Sequence, residues 1–192
     1  MRKMQNANRP RRRGDDGLKM KIGVLSDTHS KVALAKRSLD ALLENGAEFI
    51  VHAGDVCELE TLELLKNCGK RYIVVYGNND AHLLERHDDY ELVQEPHYFK
   101  LADTEFKLMH LPFYMAPDVE VVISGHTHDF NSEFLNGTLF LNPGESCARD
   151  KPVSECAMLE ITDEEFVVTY FSRQKKEESF QTETFSYKRT KR

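Results

Sequence analysis

The sequence predicts an α/β protein whose first half builds a parallel sheet and whose second half is rich in β-structure. Three observations support this reading. Apolar runs alternate with helix-period segments from Lys21 to Val75, and short apolar runs separated by turn residues dominate from Tyr98 onward. Several of these runs also end abruptly in clusters of Asp, Asn and His.

The first run, Ile22, Val24 and Leu25, is followed by Val32, Ala35, Leu39 and Leu42 at helical spacing, until Asn45-Gly46 ends the helix. A second run, Phe49-Ile50-Val51, leads into a helix through Leu59, Leu62 and Leu65 that closes near Gly69. Ile73-Val74-Val75 is the third strand. Strands joined through helices are parallel and connect by right-handed crossovers. A polar helical segment is expected around Leu83 to His87.

Beyond it, Tyr98–Leu101 and Phe106–Met109 flank Ala102-Asp103-Thr104-Glu105 as a hairpin, and Val121–Ile123 forms another buried strand. Asn136-Gly137 joins Glu133–Leu135 to Leu139–Leu141, since both turn residues tolerate the positive φ of a tight hairpin. Ala157–Leu159 and Phe166–Val168 make a last pair around Thr162-Asp163-Glu164. The organisation expected is a disordered basic N-terminal arm over 1–19, one domain over 20–172, and a polar C-terminal tail over 173–192. Phe180, Phe185 and Tyr187 can dock part of that tail.

At 192 residues and 40% hydrophobic side chains, the chain has the material for one domain with a substantial core. A net charge of -6 opposes general affinity for nucleic acid or an anionic membrane. No apolar run approaches the ~18 residues that span a bilayer, and no basic-then-apolar leader is visible, so a cytoplasmic protein is expected. Cys57, Cys68, Cys147 and Cys156 form no CxxC pair and read as reduced thiols, with Cys57 a small buried hydrophobe.

The polar strand ends carry the chemistry. They are Asp27-Thr28-His29, Gly54-Asp55, Gly77-Asn78-Asn79-Asp80, His110, and Gly125-His126-Thr127-His128. In an open α/β sheet the carboxyl ends of the strands gather along one edge, where ligands bind. Imidazole, carboxylate and amide oxygen together suit divalent manganese, iron or zinc, and a pair of such ions catalyses displacement at phosphorus. His52 is read as a packed histidine.

In order and spacing these motifs resemble the calcineurin-like metallophosphoesterases, and in particular the small YfcE-type phosphodiesterases, down to the Asn142-Pro143-Gly144 turn. The resemblance runs from about Met20 to Val168. It implies a two-sheet α/β sandwich with helices on the outer faces and the site at one sheet edge. It also implies two divalent metal ions, manganese first, with iron, nickel, zinc or magnesium as other occupants. Asp27, His29 and His128 would hold one ion, Asn78, His110 and His126 the other, and Asp55 would bridge them. Asp55 and Asn78 are the expected catalytic residues, and a metal-bound hydroxide is the expected nucleophile toward a small phosphodiester or cyclic nucleotide.

Two departures from the family pattern stand out. Asn79 occupies the place where many larger members have a histidine, and Met109-His110-Leu111-Pro112 replaces a common His-Gly-His. The first points to substrates with good leaving groups, the second to an altered substrate pocket. Other readings are a phosphomonoesterase or nuclease of the same superfamily, or a scaffold for protein interaction like the retromer subunit that shares the fold. No membrane association and no strong nucleic-acid binding are expected, while a homo-oligomer is possible.

Overall fold

The computed structural model describes residues 18–190, so the proposed basic arm lies outside the described residues apart from its last two positions. The strands are β1 (Leu18–Leu25), β2 (Phe49–His52), β3 (Arg71–Val75), β4 (Leu92–Val93), β5 (His97–Leu101) and β6 (Thr104–Leu108). They continue with β7 (Val121–Ile123), β8 (Phe130–Leu135), β9 (Thr138–Pro143), β10 (Val153–Thr162), β11 (Glu165–Gln174) and β12 (Gln181–Lys188). Two α-helices, α1 (Val32–Glu44) and α2 (Leu59–Lys66), follow β1 and β2. The polar helical segment after β3 is a 3-10 helix, Ala81–Arg86.

Two mixed sheets form. One runs β12-β11-β10-β1-β2-β3-β4 and the other β5-β6-β7-β9-β8. β1, β2, β3 and β4 are parallel, as are β6, β7 and β9, while β10 and β11 extend the first sheet antiparallel. The alternation of side chains along each strand builds two separate cores. Ile22, Val24, Val51 and Val75 face Phe106, Leu108, Ile123 and Leu141 between the sheets. On the other face of the seven-stranded sheet, Ile50, Val74 and Met158 receive Leu39 and Leu42 of α1 and Leu62 and Leu65 of α2. The outer face of the second sheet is closed by a smaller cluster, Met109, Val119, Val122 and Phe140 with Met115.

The segment read as a polar tail is a correction. Residues 173 and 174 complete β11, and β12 pairs with β11 from Glu165↔Lys188 to Ser172↔Gln181. β12 is an edge strand with one face in water, which explains its polar composition. Its inward residues are Phe185, against Phe130, and Tyr187, against Phe134. The Asn136-Gly137 hairpin forms with both residues at positive φ, 51° and 79°. The hairpin between β5 and β6 turns on Ala102 and Asp103, at 48° and 61°.

Candidate metal centre

The loops that follow β1, β2, β3, β6 and β7 meet at one end of the sandwich, and backbone bonds lace them together. Asp27 N–H donates to the Gly54 carbonyl at 3.0 Å and His29 N–H to the Asp55 carbonyl at 2.9 Å. Gly125 N–H reaches the His110 carbonyl at 3.2 Å. These bonds hold a backbone that would otherwise not persist. Asp27, His29, Asp55, His126 and His128 all have positive φ, between 42° and 69°, a region that costs non-glycine residues about 1–3 kcal/mol each.

The glycines of the motifs have a steric purpose. A Cβ on Gly77 would lie 2.1 Å from Asp55 Oδ1 and 2.2 Å from the Asp55 backbone nitrogen. One on Gly54 would meet the His110 ring at 2.5 Å. The Gly-Asp and Gly-Asn pairs are therefore linked: each glycine clears the space that a donor from another loop occupies.

All seven predicted donors come together, in two sets. In the first, His128 Nε2 lies 3.2 Å from Asp27 Oδ1 and 3.3 Å from His29 Nε2, and His29 Nε2 lies 3.8 Å from Asp55 Oδ2. In the second, Asn78 Oδ1 lies 2.9 Å from His110 Nε2 and 3.1 Å from His126 Nδ1, with Asp55 Oδ1 3.5 Å from His110 Nε2. Asp55 faces each set with a different oxygen. Asp27, His29, Asp55, His110 and His128 are buried, while Asn78 and His126 are exposed toward the opening.

This arrangement fits cations. Ala53's carbonyl, 2.8 Å from His110 Nδ1, can only accept, so the proton sits on Nδ1 and Nε2 presents a lone pair. That lone pair points at two oxygens that are themselves acceptors. Asp27 Oδ1 is buried without a hydrogen-bond partner, although the His128 ring stands close by out of alignment. His128 Nδ1 bonds to Glu145 Oε2 at 2.7 Å, the carboxylate–histidine arrangement that orients a metal-binding imidazole. Asp27, with support from Glu145 and Asp150, pushes His128 up to about 8, against the effect of burial. Burial raises the Asp27 carboxyl, but His128 and Ser26 outweigh it and hold it below its ordinary value. His29 is lowered by burial and by the Arg149 guanidinium. The pocket therefore favours positive charge at Asp27, and Arg149 already brings a cation within 3.4 Å of His128 Nε2.

Several residues serve the site without having been expected to. Asp80 is buried and accepts three backbone N–H groups, from Val56, Cys57 and Gly77, at 3.2, 2.8 and 2.8 Å. It clamps the loop after β2 to the loop after β3. Glu95 Oε2 accepts the N–H of His110 and of Leu111. Asn142 donates to the Gly125 carbonyl and to Thr127 Oγ1. The visible signals were the fourth residue of Gly-Asn-Asn-Asp and the Asn-Pro-Gly turn; Glu145 and Glu95 had none. Asn79 donates twice to Asp55, from its backbone at 2.9 Å and from Nδ2 at 2.7 Å. His52 is packed as expected, bonded to Thr28 Oγ1, with burial pushing it down to about 3.

Cys57 is not the buried hydrophobe expected. It is half-buried at the site, its Sγ 3.6 Å from His29 Nδ1, because its own positive φ turns the chain there. Burial, then nearby Asp80, pushes its thiol up to about 12. Cys147, within 4.8 Å of ring nitrogens of His29 and His128, is also pushed up to about 12, by burial and by its bond to Glu145. All four cysteines are free.

Comparison with known proteins identifies the family. Residues 20–164 match the calcineurin-like phosphoesterase superfamily domain. The chain is 25% identical over 160 residues to phosphodiesterase MJ0936 of Methanocaldococcus jannaschii, covering 77% of this chain and 96% of that protein. It is 32% identical over 154 residues to the probable metallophosphoesterase MJ0623 of the same organism, covering 75% and 77%. A solved structure of a Vps29 single mutant from Entamoeba histolytica superimposes with a TM-score of 0.71 at 24% identity, over 88% of this chain and 99% of that one, a likeness of fold. With this domain match spanning most of its length, the chain belongs to the calcineurin-like phosphoesterase superfamily.

Proposed function

We propose that the chain is a dinuclear metal-dependent phosphodiesterase acting on small phosphodiesters or cyclic nucleotides. The observation that carries this is the division of seven donor groups into two sets that share Asp55. Asp27, His29 and His128 would hold one ion and Asn78, His110 and His126 the other, with Asp55 facing both. All seven lie within residues 20–172, the unit we assign to catalysis. Mixed imidazole, carboxylate and amide donors with protonated thiols favour Mn²⁺, with iron, nickel, zinc or magnesium as alternatives. Two such ions, when bound, supply a deprotonated water at neutral pH and charge neutralisation at phosphorus.

The protein's own groups do the rest. Asp55, held by both donors of Asn79, keeps the two halves of the site at a fixed separation. Glu145 keeps His128 oriented, and Ala53's carbonyl keeps His110 Nε2 turned inward. Asn78, exposed at the opening, is placed to meet a phosphoryl oxygen. Asn79 has no acidic proton to give, and its amide is already committed to Asp55, so the leaving oxygen takes its proton from elsewhere. That favours good leaving groups. The named phosphodiesterase relative supports the reading, the net charge of -6 disfavours long polyanionic substrates, and free thiols suit the cytoplasm.

The test is a rate ratio. With Mn²⁺, bis(p-nitrophenyl) phosphate is expected to be hydrolysed with kcat/KM at least about tenfold above that for p-nitrophenyl phosphate, in keeping with the lack of a general acid. A preference for the monoester would move the protein to the phosphomonoesterases. Binding of two metals with no hydrolysis across a phosphoester panel would favour an interaction scaffold, the weaker reading because every donor position is filled.

A further inference from the structure

A groove of about 400 Å³ opens beside the Asn78 end of the donor cluster. Tyr76, Ala81, Leu84 and Leu111 make it mainly apolar, and Gln94 and Glu95 line it as well. The site itself fixes its place. Leu111 follows His110, Tyr76 immediately precedes Gly77-Asn78, and Ala81 and Leu84 stand on the 3-10 helix that starts directly after Asp80. Glu95 ties the walls to the site, because its Oε2 accepts the N–H of His110 at 2.6 Å and of Leu111 at 2.9 Å.

Tyr76 packs partly against the core beneath the helices, but Leu84 does not. Leu84 is 45% exposed, a large aliphatic side chain kept in water in the same groove as Asn78. An apolar concavity with a few polar groups, adjoining a reactive centre, is the usual form of a small-molecule subsite. The phosphoryl group itself is unsuited to the groove, because the Glu95 carboxylate repels an anion. What can enter is the uncharged part of an ester.

We propose that the groove receives a flat, uncharged ring carried on one ester oxygen of the substrate, so that the enzyme prefers aryl or nucleoside phosphodiesters to those with small alkyl arms. This rests on the phosphodiesterase reading above and deepens it. Tyr76 supplies aromatic surface for a ring, and Leu84 and Leu111 supply aliphatic surface. Glu95 Oε1 is not used by the two backbone bonds, and a carboxylate oxygen accepts from the exocyclic amine of a base. Leu111, directly after His110, builds one wall of the groove.

The test compares phenylphosphonate with methylphosphonate, which differ only in the single arm and are not hydrolysed, by calorimetric binding to the Mn²⁺-loaded full chain. Phenylphosphonate is expected to bind at least about tenfold more tightly, a difference of about 1.4 kcal/mol. In Leu84→Ser, a surface change that leaves all seven donors in place, the two affinities should approach each other. Equal affinities in the unaltered protein, or an unchanged preference in Leu84→Ser, would overturn the proposal. Hydrolysis of p-nitrophenyl diesters whose second arm is phenyl, thymidine 5′-yl or methyl identifies the ring: both ring-bearing substrates should exceed the methyl one in kcat/KM, and the faster names the source. Ring preference in binding without any hydrolysis would leave the groove standing and remove the phosphodiesterase assignment. Hydrolysis indifferent to the ring would do the reverse.

Discussion

Asp55→Ala is expected to lower kcat/KM for bis(p-nitrophenyl) phosphate by on the order of 10³, the largest effect of any single side chain in the site. Asp55 alone faces both donor sets, Oδ2 toward His29 and Oδ1 toward His110. Removing it takes one carboxylate oxygen from each half and frees the Asn79 amide from its acceptor. Asp55→Asn should be nearly as inactive, because an amide offers one oxygen and a donor nitrogen where two oxygens are needed. Circular dichroism on both variants separates this loss from unfolding. Activity of Asp55→Ala within threefold of the unaltered protein would show that the two halves do not act together.

Gly77→Ala is expected to be almost as damaging, although glycine carries no chemistry. The added methyl would overlap both Asp55 Oδ1 and the Asp55 backbone nitrogen. Neither can yield cheaply. The carboxylate is held by Asn79, the Asp55 carbonyl by His29 N–H, and the Gly77 N–H by Asp80 Oδ2. Either the loop after β3 moves out, taking Asn78 with it, or Asp55 leaves its position between the sets. Overpacking of this kind costs about 1–3 kcal/mol of stability. The readouts are a shifted urea midpoint and fewer than two Mn²⁺ bound per chain by elemental analysis. Full metal content with normal activity would contradict the packing described for these loops.

Much of the candidate site was legible because a parallel sheet puts the carboxyl ends of its strands on one edge, and this chain marks those ends with Asp, Asn and His after apolar runs. Alternation of strand and helix gave β1 to β3, and Asn136-Gly137 gave the β8–β9 hairpin. The pairing of the two sheets was not readable from periodicity, since an apolar strand buried on both faces does not say which neighbour covers it. β12 was misread for the opposite reason: an edge strand with four exposed residues in a row has almost no apolar signal, and only Phe185 and Tyr187 give it away. Glu145 and Glu95 were hidden because an acid that accepts backbone N–H groups looks, in sequence, like an acid in water. Asn79 was noticed for the histidine it is not. The structure gives it a positive role, as the residue that holds the shared carboxylate.

The proposed chemistry requires two ions per chain acting together. Metal-depleted protein should be titrated with Mn²⁺ while bound metal and hydrolysis of bis(p-nitrophenyl) phosphate are followed in the same samples. The expected result is no hydrolysis without metal, two ions bound per chain at saturation, and activity that reaches its maximum only as the second site fills. Full activity in the depleted protein, or at one ion per chain, would contradict it.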